Sequence, residues 1–332
     1  MDILLSLIFY ELSPVGAVQG GVGATSRRPK RDGYRAPAKA AGGHLSLIQR
    51  SVVSKREALA VKHLADQRQN SRPAGVPSMI HRVNVLGVGV TPVNLAQTIE
   101  ILEKWRAEER REYVCCASVH GLMEAQRDPE IRSALNRSGL TTEDGMPLVW
   151  WCQRSGYSDA GRVCGSDLLL AMCERAPQRG HRHFFYGGSP RVVETLVSRL
   201  MQRFPGLVVA GYRSPPFRAL TEEEDAADVR AINETHPDFV WVGLGMPKQE
   251  KWMVQHVGKI QAAALLGVGA AFDFVAETKP RAPLWMQRSG LEWLFRLMTE
   301  PRRLARRYLV YNSIFVTLAL LQIVGWKSYA RD

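Results

Sequence analysis

From residue 83 onward the chain alternates short apolar runs with longer stretches of helical spacing. The run 83–88 predicts a strand, and 93–105 predicts a helix with apolar residues at 95, 99 and 102. A strand over 113–117 leads into a helix over about 120–136. A polar turn follows, Thr141-Thr142-Glu143-Asp144-Gly145, with Asp144 at the end of a short strand. Segments 147–152 and 167–176 suit helices, and 183–186 reads as a strand ending in Gly187-Gly188. Ser189-Pro190 then caps a helix whose apolar residues fall at 192, 193, 196, 197, 200 and 201. After a strand at 207–210, Thr221 and Glu224 form a capping box for a helix over 222–234. The run 239–242 suits a strand buried on both faces, and Pro247 suits the start of a helix reaching 257. A last buried strand spans 262–268. Strands alternating with helices predict a parallel sheet covered on both faces.

The two ends break this pattern. Residues 1–79 are poor in large apolar side chains after the first 16 and carry 12 Lys and Arg against 5 Asp and Glu, a net of +7. We expect a basic, disordered N-terminal extension with one helix near 56–67. Asp2 stands where a signal peptide would carry positive charge, and a chain starting at Met79 would be more compact. From about residue 281 the chain runs through an Arg-rich segment into a nearly unbroken apolar run at 308–326, diluted by Asn312, Ser313 and Gln322. Basic residues beside an apolar, aromatic-edged helix suit a membrane surface better than a span. The same run also suits a core-packing terminal helix. The expected division is therefore 1–79, an α/β domain over 80–280, and a helical appendage over 281–332.

Charge narrows the partners. The whole chain of 332 residues carries a net +12, which favours an anionic partner such as a nucleic acid, a phosphorylated substrate or an acidic membrane. Because +7 lies in the N-terminal extension, a folded nucleic-acid-binding face is disfavoured. Five scattered cysteines, with no CxxC pair, read as core thiols in a reducing cytosol.

Candidate chemistry gathers at the glycine turns. Gly243 and Gly245 follow a strand and precede Lys248, Gln249 and Glu250 at a helix start, a natural place for a phosphate, although an ordinary turn has the same features. The three GxG turns lack the third glycine of a dinucleotide fingerprint, having Pro92, Lys248 and Phe272 there instead. Gly20 to Thr25 is not a P-loop, and there is no Asp-x-Asp, no metal-ligand spacing and no GxSxG. NAD, ATP and a metal are therefore not expected. Asp144 is a candidate general base, although an Asp-Gly pair is also a common turn.

Several blocks add up to a resemblance: Asp144-Gly-Met-Pro147, Gly161-Arg-Val-Cys-Gly-Ser-Asp-Leu168, Phe185-Tyr-Gly-Gly188, Gly243-Leu-Gly-Met-Pro-Lys-Gln-Glu-Lys-Trp252, Gly267-Val-Gly-Ala-Ala-Phe-Asp273, Arg281-Ala-Pro283, Glu292-Trp-Leu-Phe-Arg-Leu297 and Glu300-Pro-Arg-Arg303. In this order they resemble the WecG/TagA/CpsF glycosyltransferases, family 26, over about residues 83–315. The fold class so implied is α/β, a Rossmann-like parallel sheet with helices on both faces and a C-terminal helical, membrane-associating appendage. The resemblance implies an inverting, metal-independent transfer from a UDP-sugar, such as UDP-N-acetylmannosamine or UDP-glucuronic acid, to a polyprenyl-diphosphate-linked saccharide. Such enzymes build surface polysaccharides at the cytoplasmic face of the bacterial inner membrane, as peripheral proteins. It implies Asp144 as general base, with Ser118 and Cys116 beside it in place of the family's Thr-x-Asn. It places Arg162, Gln249 and Glu250 at the UDP-sugar pocket, to which the turn residues Gly187, Gly188, Gly243, Gly245, Lys248 and Asp273 are added. It gives Arg296, Arg303 and Arg306 to an appendage that reaches the membrane and closes over the site. His120 either compensates for the altered Thr-x-Asn or caps the next helix. The oligomeric state is open, self-association included. A non-catalytic nucleotide-sugar sensor or nucleic-acid binder is the competing class, and a different sugar-nucleotide enzyme would need a cofactor or an acid/base pair that the sequence does not offer.

Overall fold

The computed structural model describes residues 80–331. The extension expected over 1–79, with its helix near 56–67, lies outside the described residues. Eight strands and twelve α-helices follow one another in the described part: β1 (Val83–Val85), β2 (Val88–Val90), α1 (Leu95–Ala107), β3 (Glu112–Ala117), α2 (Val119–Arg127), α3 (Pro129–Arg137), β4 (Leu140–Glu143), α4 (Met146–Arg154), α5 (Gly165–Arg179), β5 (Arg182–Gly187), α6 (Pro190–Arg203), β6 (Val208–Arg213), α7 (Glu222–Glu234), β7 (Phe239–Gly243), α8 (Lys248–His256), β8 (Ala264–Gly267), α9 (Ala271–Val275), α10 (Leu284–Arg288), α11 (Glu292–Thr299) and α12 (Pro301–Ile323).

Six strands form one parallel sheet in the order β4-β3-β8-β7-β5-β6. The period-2 alternation of each strand sends its side chains to two cores. Tyr113, Cys115, Tyr186, Val240, Val242 and Leu265 pack on one face with Leu122, Met253 and Phe315. Val114, Phe185, Phe239, Trp241 and Leu266 pack on the other with Leu102, Leu169 and Leu196. The expected α/β architecture, a parallel sheet flanked by helices, is thus present.

Three expected elements differ. The run 83–88 is not a strand of the main sheet but the first half of an antiparallel hairpin, β1 with β2. Leu86 and Gly87 both take positive φ, 54° and 84°, the backbone of a tight two-residue hairpin turn. The single helix expected over 120–136 is two, α2 and α3. Pro129 forces Asp128 into an extended conformation (φ −123°, ψ 106°), and the Asp128 side chain then caps α3 by accepting from the Glu130 N–H. The polar turn expected at 141–145 is mostly the fully buried edge strand β4. Thr141 donates its hydroxyl to the Leu135 carbonyl and Thr142 donates to that of Val163, so their polarity is satisfied internally. By contrast, the capping box of Thr221 and Glu224 starts α7 where expected.

The C-terminal helices lie along this body. Leu304, Phe315 and Ala319 of α12 are buried. Tyr311 donates to Glu124 of α2 at 2.8 Å and accepts from Arg127 at 2.6 Å. Gln322, a polar break in the apolar run, accepts from the Leu86 N–H and donates to the Asn84 carbonyl, gripping the hairpin backbone. By length and composition α12 is apolar enough to cross a bilayer.

Candidate active site

In open α/β sheets ligands bind beyond the carboxyl ends of the strands. Here a cavity of about 340 Å³ opens at the carboxyl ends of β4, β3, β8 and β7, and α10, α11 and α12 supply its far wall. Its lining includes Cys116 near the end of β3 and Ser118 just beyond it, Asp144 after β4, Gly245 and Gln249 after β7, and Gly267, the last residue of β8, through Ala270.

Asp144 stands one residue beyond β4, its N–H donating to the Ala117 carbonyl at 2.8 Å, so the β3 and β4 ends hold its backbone together. Burial pushes its carboxyl up to about 6, and the Arg162 guanidinium opposes this. Arg162 donates from Nε to the Asp144 carbonyl oxygen at 3.0 Å. Its two terminal nitrogens reach Gln287 of α10 at 3.3 Å and Glu292 of α11 at 2.5 Å. One guanidinium thus ties the Asp144 turn to the C-terminal helices. A carboxyl that titrates near 6 in a half-enclosed cavity, beside an arginine, is suited to accepting a proton near neutral pH.

Cys116 lies beside Asp144, and burial first, then the Asp144 carboxylate, push its thiol far above the usual range. It is therefore a neutral group rather than a thiolate nucleophile. All five cysteines are free thiols, and four of them are buried. Ser118 is the N-cap of α2, but its hydroxyl makes no cap hydrogen bond. His120 is not the cap. It lines the cavity, stacks on Tyr311 with ring centroids 5.6 Å apart, and places Nε2 3.5 Å from Glu124.

Of the remaining expected site residues, Arg296 and Arg303 line the cavity from α11 and α12. Arg296 also lies over the Phe274 ring, and Arg303 pairs with Glu300. Arg306 is exposed and outside the lining, as is Lys248. Gly187, Gly188 and Gly243 do not line it either. A Cβ on Gly187 would meet the Gly243 backbone at 2.7 Å, and one on Gly243 would meet the Phe272 ring at 2.6 Å, so these glycines serve close packing of β5, β7 and α9. Asp273 faces Lys279 and Thr278 away from the lining. Glu250 is fully buried behind Gln249. The residues that sequence reasoning missed are Gln287, Glu292, Trp293, Tyr308 and Tyr311. Glu292 begins the Glu-Trp-Leu block, which was the one signal pointing to it. Among the described residues no group of three or more His, Cys, Asp or Glu side chains is placed to hold a metal ion.

The comparisons with known proteins agree on one family. The family model described as Glycosyl transferase WecG/TagA/CpsF family matches residues 83–329. The chain is similar to the N-acetylglucosaminyldiphosphoundecaprenol N-acetyl-beta-D-mannosaminyltransferase of Bacillus spizizenii, 31% identical over 183 residues that cover 55% of this chain and 69% of that protein. It is also similar to the Staphylococcus aureus protein of the same name, 25% identical over 227 residues that cover 68% of this chain and 87% of that one.

Proposed function

Because the chain belongs to the WecG/TagA/CpsF glycosyl transferase family, we propose that it moves a sugar from a UDP-sugar to a saccharide carried on a polyprenyl diphosphate. Asp144 is the general base. It takes the proton of the acceptor hydroxyl while that oxygen bonds to the anomeric carbon from the face opposite the leaving group. The bond from that carbon to the diphosphate oxygen breaks, the electron pair leaves with UDP, and the anomeric configuration inverts. The observation that carries this reading is Asp144 itself: a cavity-lining carboxyl held near 6 at the carboxyl edge of the sheet.

Leaving-group charge is met by the cavity arginines, Arg296 and Arg303, and by the amides after β8. This arrangement supports metal-independent transfer. The relatives' names specify an N-acetylmannosaminyl group and an N-acetylglucosaminyl-diphosphoundecaprenol acceptor, which makes UDP-N-acetylmannosamine the first donor to try, ahead of UDP-glucuronic acid. The lipid acceptor implies work at a membrane surface, which for a nucleotide-sugar enzyme is the cytoplasmic face. Leu309, Val310 and Ile314 of α12 are 57%, 43% and 44% exposed, next to exposed Arg302, Arg303 and Arg306, as a peripheral contact requires.

The test is UDP release from a panel of UDP-sugars in EDTA, with and without a short-chain polyprenyl-diphosphate N-acetylglucosamine. Acceptor-dependent release from one donor is expected. UDP binding without release from any donor would favour a non-catalytic nucleotide-sugar sensor, and no UDP binding would remove both readings.

A further inference from the structure

The Pro-Lys-Gln-Glu turn places two adjacent side chains differently. Gln249 lines the cavity, whereas Glu250, the next residue of α8, is fully buried and absent from the lining. The two are joined: Gln249 Nε2 donates to Glu250 Oε1 at 2.8 Å. Gln249 Oε1 in turn accepts the N–H of Gly269, beyond β8, at 2.9 Å. An amide held by a donor on its oxygen and an acceptor on its nitrogen cannot flip without losing both bonds. One N–H and one lone pair of Gln249 remain for a ligand. The orientation of that N–H is set from behind by Glu250.

Among the described residues the Glu250 carboxyl has no side-chain hydrogen-bond partner but Gln249, its own backbone N–H being the other group that acts on it. Its second oxygen, Oε2, is buried and has no hydrogen-bond partner among the described residues. A buried carboxyl with one oxygen unsatisfied is costly to keep for packing alone. We propose that Glu250 is a positioning residue for donor binding, holding the Gln249 carboxamide so that its free N–H meets an acceptor oxygen of the UDP-sugar. This rests on the transferase reading above and deepens it.

The protonation of Glu250 then matters. Burial pushes its carboxyl up to about 7, while the Gln249 bond opposes the rise. The surrounding elements bring little charge to it. β3 contributes the Cys115 and Cys116 thiols, which burial keeps neutral, and β8 (Ala264–Gly267) has no titratable side chain. On the α3 side, Asp128 and Glu130 are bound to Lys251. Below about pH 7 Glu250 is a neutral acceptor for the Gln249 N–H. Above it, an unpaired negative charge lies behind the site that receives the diphosphate, so donor affinity falls as pH rises through that value.

The experiment is steady-state kinetics on the full chain with the donor that supports turnover, comparing wild type, Glu250→Gln and Glu250→Met, each with its melting temperature. Glu250→Met is expected to raise donor KM about tenfold with kcat within about threefold, the scale of one lost orienting hydrogen bond. Glu250→Gln keeps an acceptor and is expected to restore KM to within about threefold. Wild-type donor KM is expected to rise between pH 6.5 and 8.5, and that of Glu250→Gln to stay flat. A wild-type KM in Glu250→Met, or a lowered melting temperature with unchanged KM, would overturn the proposal. If Glu250→Met does not fold, the Gln variant decides: a KM–pH curve parallel to wild type also overturns it. Wild-type enzyme that turns over no donor would instead refute the transferase reading.

Discussion

Removing the charge of Arg162 should move the pH dependence of the reaction. The Asp144 carboxyl sits near 6 because burial raises it and Arg162 pulls it back. Arg162 bonds the Asp144 backbone and is locked by Glu292 and Gln287, so its charge is fixed beside the base. An opposite charge at close range lowers a carboxyl by about 1–3 units. Arg162→Gln should therefore shift the acid limb of kcat from about 6 to roughly 7–9. With the limb at about 7.5, the ionised fraction of Asp144 at pH 6.5 falls from about three-quarters to about one-tenth, a rate loss of roughly eightfold that recovers by pH 9. Glu292 raises the same carboxyl, so Glu292→Gln should move the limb the other way. The assay is UDP release at saturating donor and acceptor from pH 5 to 9.5. An acid limb that stays at the same pH in both variants would refute Asp144 as the titrating base, whatever the variants do to KM.

Glu143, the residue before the base, is fully buried, and burial pushes its carboxyl up to about 8. A carboxyl raised in the folded state supports folding below its ordinary 4.5, and that support is lost as pH climbs toward 8. Glu143→Gln should thus stabilise the protein by on the order of 3 kcal/mol at pH 7 and little at pH 4.5, read as melting temperature against pH; parallel curves for variant and wild type would contradict this. Replacing both Leu309 and Ile314 by Ser should weaken binding to anionic vesicles by tenfold or more in a flotation assay, with melting unchanged, because both side chains are exposed on the free face of α12. Undiminished binding would mean that another surface meets the lipid.

How much of this was legible in the sequence depended on whether the signal was local. α7 is announced by Thr221 and Glu224, whose reciprocal cap needs only residues three apart. The hairpin was hidden because Leu86 is an apolar residue at a turn position, inside the unbroken run Val83-Asn84-Val85-Leu86-Gly87-Val88. β4 was hidden because Thr141 and Thr142 look polar until their partners, Leu135 and Val163, are known. At the site, Asp144, Gln249 and Gly245 could be read from strand ends and glycine turns. The wall formed by Gln287, Glu292 and Tyr311 could not, because those residues meet Arg162 and Glu124 only after more than a hundred residues of intervening chain have folded. Lys248 and Glu250 flank Gln249 in sequence, yet helical geometry sends one to solvent and the other into the core.

Transfer with Asp144 as base is tested most directly by comparing wild type and Asp144→Asn in EDTA, following acceptor-dependent UDP release and UDP binding on the same samples. Binding within about threefold of wild type is expected, with release lower by roughly 10²–10⁴-fold, the usual share of a general base. Release from Asp144→Asn at the wild-type rate would contradict it.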